Sequence, residues 1–259
     1  ILVMFLGGQT TPALTAATTF LLVHALYKAS LFLAVGSIDH QTGTRILYRL
    51  GGLWRAMPLT ALAVAAAAMS MAGFPLCFGF IGKEIMYKGA LTETVYPGFA
   101  TTVALLANAL MTGVAGIILL RVFFGERPAA LAAVREVPWN MRFGPSIMGG
   151  LTILFGIVPW WVSANMVQPA VLAFHPVREE IHLKLFHGFS TPLLLSVATL
   201  TLGGLIYLAR HHIRIHVATL RQRLPVTSQG IYQFRLDLFM RTAKMVTHGL
   251  QNGSLTAYL

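Results

Sequence analysis

Long uncharged stretches divide this chain into apolar segments separated by short polar connections. Stretches without Asp, Glu, Lys or Arg run over residues 1–27, 57–82, 94–120, 143–177 and 185–209. Each reaches the roughly 20 residues that a helix needs to cross the hydrocarbon core of a bilayer. Since no segment shows the roughly ten-residue alternation of a transmembrane strand, the pattern predicts an all-α, polytopic transmembrane helix bundle of about five spans.

The apolar stretches define five predicted spans, of which one contains helix-breaking residues. They are A (12–36), B (from residue 58), C (98–123), D (143–168) and E (188–209). In span B, Gly73, Pro75 and Gly79 fall close together, and a proline inside a helix removes a backbone hydrogen bond and clashes with the preceding turn. We therefore expect span B to be one discontinuous helix that resumes as a short half-helix. Residues 210–244 are basic but interleaved with apolar residues, which predicts an amphipathic segment lying along the membrane surface.

Composition supports this interpretation and adds an orientation. The chain is 56% hydrophobic and 10% charged, with a mean hydropathy of +0.71. Its net charge of +11 is explained by position: the loops after spans A, C and E hold 14 Lys and Arg residues, and the loops after B and D hold 2. The positive-inside rule places the first set of loops in the cytoplasm of a multi-pass cell-membrane protein, so a nucleic-acid partner is not needed to explain the charge.

A histidine and a lysine interrupt the apolar pattern of span A. His24 and Lys28 are four residues apart and so lie on one helical face. Lys28 lies about sixteen residues into the span, where an ionisable residue is costly and usually functional. The pair could pass a proton, because burial brings a lysine within range of proton exchange and histidine titrates near neutrality. The alternative is a lysine that snorkels to the interface and a histidine that is satisfied in the core.

A second ionisable pair, Lys83 and Glu84, follows the predicted break in span B. Broken helices at membrane depth are tolerated where protein or a water-filled cavity satisfies the freed backbone groups, and they recur at ion sites of transporters. The alternative is that Pro75 only kinks the helix and that this pair marks the membrane boundary. His40 and Lys88 are further candidates for admitting protons or tuning the pair. The chain has one cysteine and none of the HExxH, CxxC or GxSxG motifs, so we expect no metal, no cofactor and no enzymatic reaction.

Several motifs closely resemble the antiporter-like subunits shared by Mrp multisubunit sodium/proton antiporters and respiratory complex I. They are HALYKASLFLAVG, SIDHQTGTR and AMSMAGFPLCFGFIGKE, and the strings DHQTGTR and LQNGSL are most similar to the large A subunit of Mrp complexes. The resemblance covers essentially the whole chain. It implies the later part of such a subunit: the end of the second antiporter repeat in 1–92, three further transmembrane helices in 93–209, and a lateral amphipathic segment in 210–259 that leads to a further span.

The same resemblance implies a function. His24 and Lys28 would be the axis pair between half-channels, and Lys83 would exchange protons with one side of the membrane. The leading hypothesis is a proton-translocating subunit of a sodium (cation)/proton antiporter, assembled with other membrane subunits in the lipid bilayer and moving protons against a monovalent cation. The alternatives are a membrane-arm subunit of a redox-driven complex, of the NADH dehydrogenase or membrane-bound hydrogenase type, and a structural membrane scaffold.

Overall fold

The fold is known from a computed structural model, which describes residues 10–92, 96–174, 180–186, 188–223 and 228–250. Every regular element within these ranges is a helix. The α-helices are α1 (Thr11–Thr42), α2 (Pro58–Ala72), α3 (Phe78–Leu91), α4 (Pro97–Gly116), α5 (Trp139–Ile157), α6 (Pro159–Val162), α7 (Gln168–Phe174), α8 (Thr191–Arg223) and α9 (Ser228–Leu250). A π-helical turn, Ile117–Arg121, extends α4, and a second one, Ser163–Val167, joins α6 to α7.

Several of these helices are long and apolar enough to cross a bilayer. Residues Thr11–Thr42, Pro97–Arg121 and Thr191–Leu220 qualify individually, and α5 together with the helix from Pro159 to Phe174 qualifies as a bent pair. The shorter apolar helix α2 and the helix that follows it, α3, together occupy predicted span B. The predicted all-α, multi-pass membrane fold is confirmed, with span B divided into two short helices.

Two spans differ from the expectation in detail. Predicted span D bends by 98° between α5 and α6, at Val158–Pro159. The residue before a proline is disfavoured in the helical region, and Val158 has φ −115° and ψ 54°. Span E was expected to end near residue 209, but α8 continues to Arg223, because residues 210–223 contain no glycine or proline to end it. The basic stretch therefore begins as a continuation of α8, and α9 is a separate helix. The end of the predicted lateral segment, residues 251–259, lies outside the described residues.

The chain divides into two compact units, residues 1–208 and 209–259. In the first unit, α1 packs against α2, α3 and α5. Pro145, inside α5, cannot donate to the carbonyl of Met141, and the Ser37 hydroxyl on α1 donates to that carbonyl at 3.4 Å. The helix therefore continues through Pro145, because the Ser37 side chain occupies the Met141 carbonyl that the proline leaves free.

The connections after α1 and α4 pack on each other in the same unit. The Trp54 and Phe124 rings stack with centroids 5.4 Å apart. Glu136, just before α5, accepts hydrogen bonds from the backbone N–H groups of Leu59 and Thr60 at 2.8 and 3.3 Å and from the Thr60 hydroxyl at 2.6 Å. Its carboxylate thus caps the start of α2, where residue Met57 provides no side-chain cap.

Candidate functional site: a lysine at a helix break

The break between α2 and α3 spans residues 73–77. Gly73 ends α2 in the left-handed conformation, with φ 77°, and Pro75 lies in the connection. Gly79, in the first turn of α3, donates its backbone N–H to the Ser70 hydroxyl of α2 at 3.1 Å. A Cβ atom at Gly79 would lie 1.7 Å from the Ser70 carbonyl oxygen, so the two halves of the broken span meet in backbone contact that only glycine permits.

Lys83 is held at this break. Its side chain is 4% exposed, and Nζ donates to the Ala72 carbonyl oxygen at 2.5 Å and to the Thr112 hydroxyl at 3.2 Å. Ala72 is the last residue of α2, so the end of the helix leaves its carbonyl available to the lysine. The stem of Lys83 passes directly over Gly73, where an added Cβ would lie 2.5 Å from Lys83 Cδ. The break therefore supplies both the acceptor and the room for a buried lysine.

His24 and Lys28 lie on α1 at intermediate burial. The His24 ring contacts Phe20 and Tyr27, with centroids 5.8 and 5.3 Å away, and Lys28 Nζ lies 5.9 Å from the centroid of the Phe32 ring. The described residues include no direct hydrogen bond from either side chain to Lys83. The residues that precede His24 and Lys83 are nevertheless in contact. Gly82 of α3 packs on Val23 of α1, and a Cβ added at Gly82 would lie 2.9 Å from Val23 Cγ2.

The other predicted residues occupy different environments. Glu84 is buried beside Lys83, at 3% exposure, whereas Lys88 is exposed further along α3. His40 is exposed in the last turn of α1. Its neighbour Asp39 pairs with Arg45 at 2.7 Å, and the hydrogen bond to this carboxylate raises the pKa of the Arg45 guanidinium above its ordinary value.

Sequence reasoning missed a second polar group beside Lys83. Thr112, on α4, contacts Lys83 directly, and its hydroxyl donates to the carbonyls of Ala72 and Asn108 at 3.2 and 2.9 Å. Asn108 is fully buried one turn earlier and donates from Nδ2 to the Tyr87 hydroxyl at 3.4 Å. Tyr87 in turn hydrogen-bonds to Thr199 on α8. The available signal was an Asn and a Thr four residues apart in an otherwise apolar span.

Comparison with known proteins reveals clear relatives. The family model described as NADH:quinone oxidoreductase/Mrp antiporter, transmembrane, matches residues 1–112. The chain is 36% identical to a probable K⁺/H⁺ antiporter A/B subunit of Rhizobium meliloti over 209 residues, which are 78% of this chain and 21% of that protein. It is 32% identical to the A1 subunit of a Na⁺/H⁺ antiporter of Staphylococcus aureus over 205 residues, 75% of this chain and 26% of that protein. The chain thus spans about a fifth to a quarter of the length of these relatives.

Solved structures agree on the fold. A chain of the Mrp complex from Dietzia sp. superposes with a TM-score of 0.80 at 27% identity, covering 99% of this chain and 28% of that one. A chain of the membrane-bound sulfane sulfur reductase, an archaeal respiratory membrane complex, superposes with a TM-score of 0.62 at 20% identity, covering 99% and 47%. The second likeness concerns the fold alone.

Proposed function

Because the chain belongs to the NADH:quinone oxidoreductase/Mrp antiporter family of transmembrane subunits, we propose that it carries part of the proton path of a multisubunit cation/proton antiporter. Protons move through Lys83, Lys28 and His24 while a monovalent cation moves in the opposite direction. The complex lies in the cell membrane, with the loops after α1, after α4 and after the membrane-spanning part of α8 in the cytoplasm. Other membrane subunits and lipid cover its exposed apolar faces.

The observation that carries this proposal is the environment of Lys83. Both hydrogen-bond partners described for Nζ are neutral oxygens, and the side chain is 4% exposed. A lysine so placed keeps its proton on Nζ through the hydrogen bonds to the Ala72 carbonyl and the Thr112 hydroxyl, and neither of these partners is an anion that the proton would have to leave. Protonation of a second lysine nearby disfavours the charged form of the first, since like charges repel strongly at low dielectric. Alternate charging of Lys28 and Lys83 is therefore a physical basis for moving protons in steps.

The test is cation-triggered proton movement in everted membrane vesicles that contain the assembled complex. We expect Lys83→Ala and Lys28→Ala to abolish the pH change triggered by sodium or potassium when the complex is equally abundant, and His24→Ala to reduce it. Lys184→Ala is the matched control, because Lys184 is an exposed loop lysine. Unchanged transport in both lysine variants would refute the relay and favour the scaffold hypothesis.

A redox-driven complex is the second candidate. It is favoured by the family model, whose description includes NADH:quinone oxidoreductase. The same vesicles separate the two candidates. A pH change that needs an electron donor and ignores added cations supports the redox-driven complex, and one that follows added cations without a donor supports the antiporter.

A further inference from the structure

We propose that Tyr87, Asn108 and Thr199, here called the Tyr87 cluster, form the leg of the proton path that connects Lys83 to α8, together with a water bound to the Asn108 amide oxygen. The inference rests on the proposed function, since it extends the path from Lys83 toward the membrane surface. The cluster lies on three helices of the first compact unit, α3, α4 and α8. All three side chains are fully buried.

Two polar contacts link α3 to α4 one above the other. The first joins Lys83 Nζ to the Thr112 hydroxyl at 3.2 Å, and the second joins the Tyr87 hydroxyl to Asn108 Nδ2 at 3.4 Å. Since Tyr87 follows Lys83 by four residues and Asn108 precedes Thr112 by four, the two contacts lie about one helical turn, or about 5.4 Å, apart. The polar surface that begins at Lys83 therefore continues along α3 toward its end at Leu91.

The hydrogen bonds of the cluster have one consistent direction. The Thr199 hydroxyl donates to the Leu195 carbonyl at 2.8 Å, so in its bond with Tyr87 the Thr199 oxygen accepts and the tyrosine donates. Tyr87 in turn accepts from Asn108. A proton that reaches the Tyr87 oxygen releases the phenol proton to the Thr199 oxygen, and the Thr199 hydroxyl then turns from the Leu195 carbonyl to pass its own proton to the Ser196 hydroxyl. Each hydroxyl gains one proton and loses one, and Lys83 is left as the neutral amine.

An unpartnered atom marks where the water binds. Asn108 Oδ1 is buried and has no hydrogen-bond partner among the described residues, while Nδ2 is occupied by Tyr87 and by the Ala104 carbonyl at 2.8 Å. Buried polar atoms that lack a protein partner are the usual sites of ordered internal water. The amide cannot itself relay a proton. One water molecule can bridge the separation of about 5.4 Å between the Lys83–Thr112 contact and the Tyr87–Asn108 contact, and so connect Lys83 to Tyr87.

The path continues beyond Thr199. Ser196 lies three residues nearer the start of α8, on the same helical face, and its hydroxyl is also buried without a partner among the residues described. Ser196 borders an open pocket of about 260 Å³ that Pro75 of the helix break also lines, and apart from Ser196 the lining of this pocket is apolar. By the predicted orientation, the start of α8 faces the outside, so the cluster leads protons between Lys83 and the external side.

The test uses conservative variants in everted vesicles that contain the assembled complex, with sodium and potassium as the probes. Tyr87→Phe and Thr199→Val remove single hydroxyls, whereas Thr199→Ser keeps the hydroxyl. The controls are Tyr96→Phe and Thr201→Val, since Tyr96 is 70% exposed and Thr201 is exposed on α8. We expect Tyr87→Phe and Thr199→Val to lower the maximal rate at least about tenfold, as loss of a positioned proton-transfer group does.

Further readouts separate proton transfer from structure. In the two affected variants, the half-saturating cation concentration stays unchanged and the ratio of rates in H₂O and D₂O rises, while Thr199→Ser and the controls behave as wild type. Wild-type rates and isotope ratios in Tyr87→Phe and Thr199→Val, with Lys83→Ala inactive, would overturn this inference and leave the proposed function standing. Loss of complex assembly in Tyr87→Phe, Thr199→Val and Thr199→Ser alike would overturn it in favour of interhelical packing. Transport in Lys83→Ala would instead overturn the proposed function.

Discussion

At the scale of single residues, Gly79 controls how closely the two halves of the broken span approach. A Cβ at this position would lie 1.7 Å from the Ser70 carbonyl oxygen and 2.5 Å from its carbon, both backbone atoms that cannot rotate away. We therefore predict that Gly79→Ala separates α2 from α3 and destabilises the protein by about 1–3 kcal/mol, as overpacking of a core does. The midpoint of thermal unfolding of the complex in detergent measures this change.

Gly150→Ala is the control for that prediction. Gly150 is a helical glycine of α5 with nothing within 4 Å of its absent Cβ, so an added methyl group meets no other atom. Alanine there should leave the unfolding midpoint unchanged or raise it slightly, since alanine is favoured over glycine in a helix by roughly 0.5–1 kcal/mol. Equal midpoints for the two variants would show that the contact between Gly79 and Ser70 is not close.

The candidate site could be predicted from the sequence only where a residue contradicts its surroundings. Lys28 and Lys83 are evident because a lysine is costly in an apolar span, and the break is evident because Gly73, Pro75 and Gly79 cluster. Asn108 and Thr112 carry no charge, and their spacing indicates a polar face on span C without indicating which residues that face contacts. Only the contact between α3 and α4 shows that they share the surroundings of Lys83.

At the scale of helices, the start of α2 depends on a residue far along the chain. Glu136 accepts from the backbone N–H groups of Leu59 and Thr60, and its negative charge favours the positive end of the helix. We predict that Glu136→Ala destabilises α2 and lowers the free energy of unfolding by about 1–2 kcal/mol, the range for losing a helix cap. Glu126→Ala is the matched control, because Glu126 is an exposed glutamate in the same connection.

Thermal unfolding of the detergent-solubilised complex distinguishes these two variants. A lower midpoint in Glu136→Ala alone supports the cap, and Glu136→Gln should fall between it and wild type because the amide oxygen still accepts while the charge is gone. Equal midpoints for Glu136→Ala and Glu126→Ala would mean that the carboxylate does not hold the start of α2.

Prolines show why helix boundaries were only partly predictable. Pro75 lies in the break between α2 and α3, and its combination with Gly73 and Gly79 was sufficient to predict that break. Pro145 does not end α5, because the Ser37 hydroxyl binds the carbonyl of Met141 that the proline leaves free. Pro159 coincides with a 98° bend. The outcome at Pro145 depends on a side chain of α1, more than a hundred residues earlier, which no local pattern reveals.

At the scale of the whole molecule, the unequal distribution of Lys and Arg between loops predicts the orientation of the protein in the membrane. Labelling of introduced cysteines can test this orientation. Cys77 is the only cysteine and is buried at 2% exposure, so the unmodified chain should give little background labelling by thiol reagents. Lys184, after α7, and Arg135, before α5, are both exposed. By the positive-inside rule, Lys184 faces the outside and Arg135 the cytoplasm.

We therefore expect opposite labelling of Lys184→Cys and Arg135→Cys by a membrane-impermeant maleimide. In intact cells the reagent should label Lys184→Cys alone, and in everted vesicles Arg135→Cys alone, because the bilayer separates the two loops. Labelling of both cysteines from one side would place the loops on one face and contradict the topology. Exchanged labelling would keep the topology but invert the orientation. Such an inversion would turn the Tyr87 cluster from a path to the outside into a path to the cytoplasm, since the start of α8 lies on the same side as Lys184.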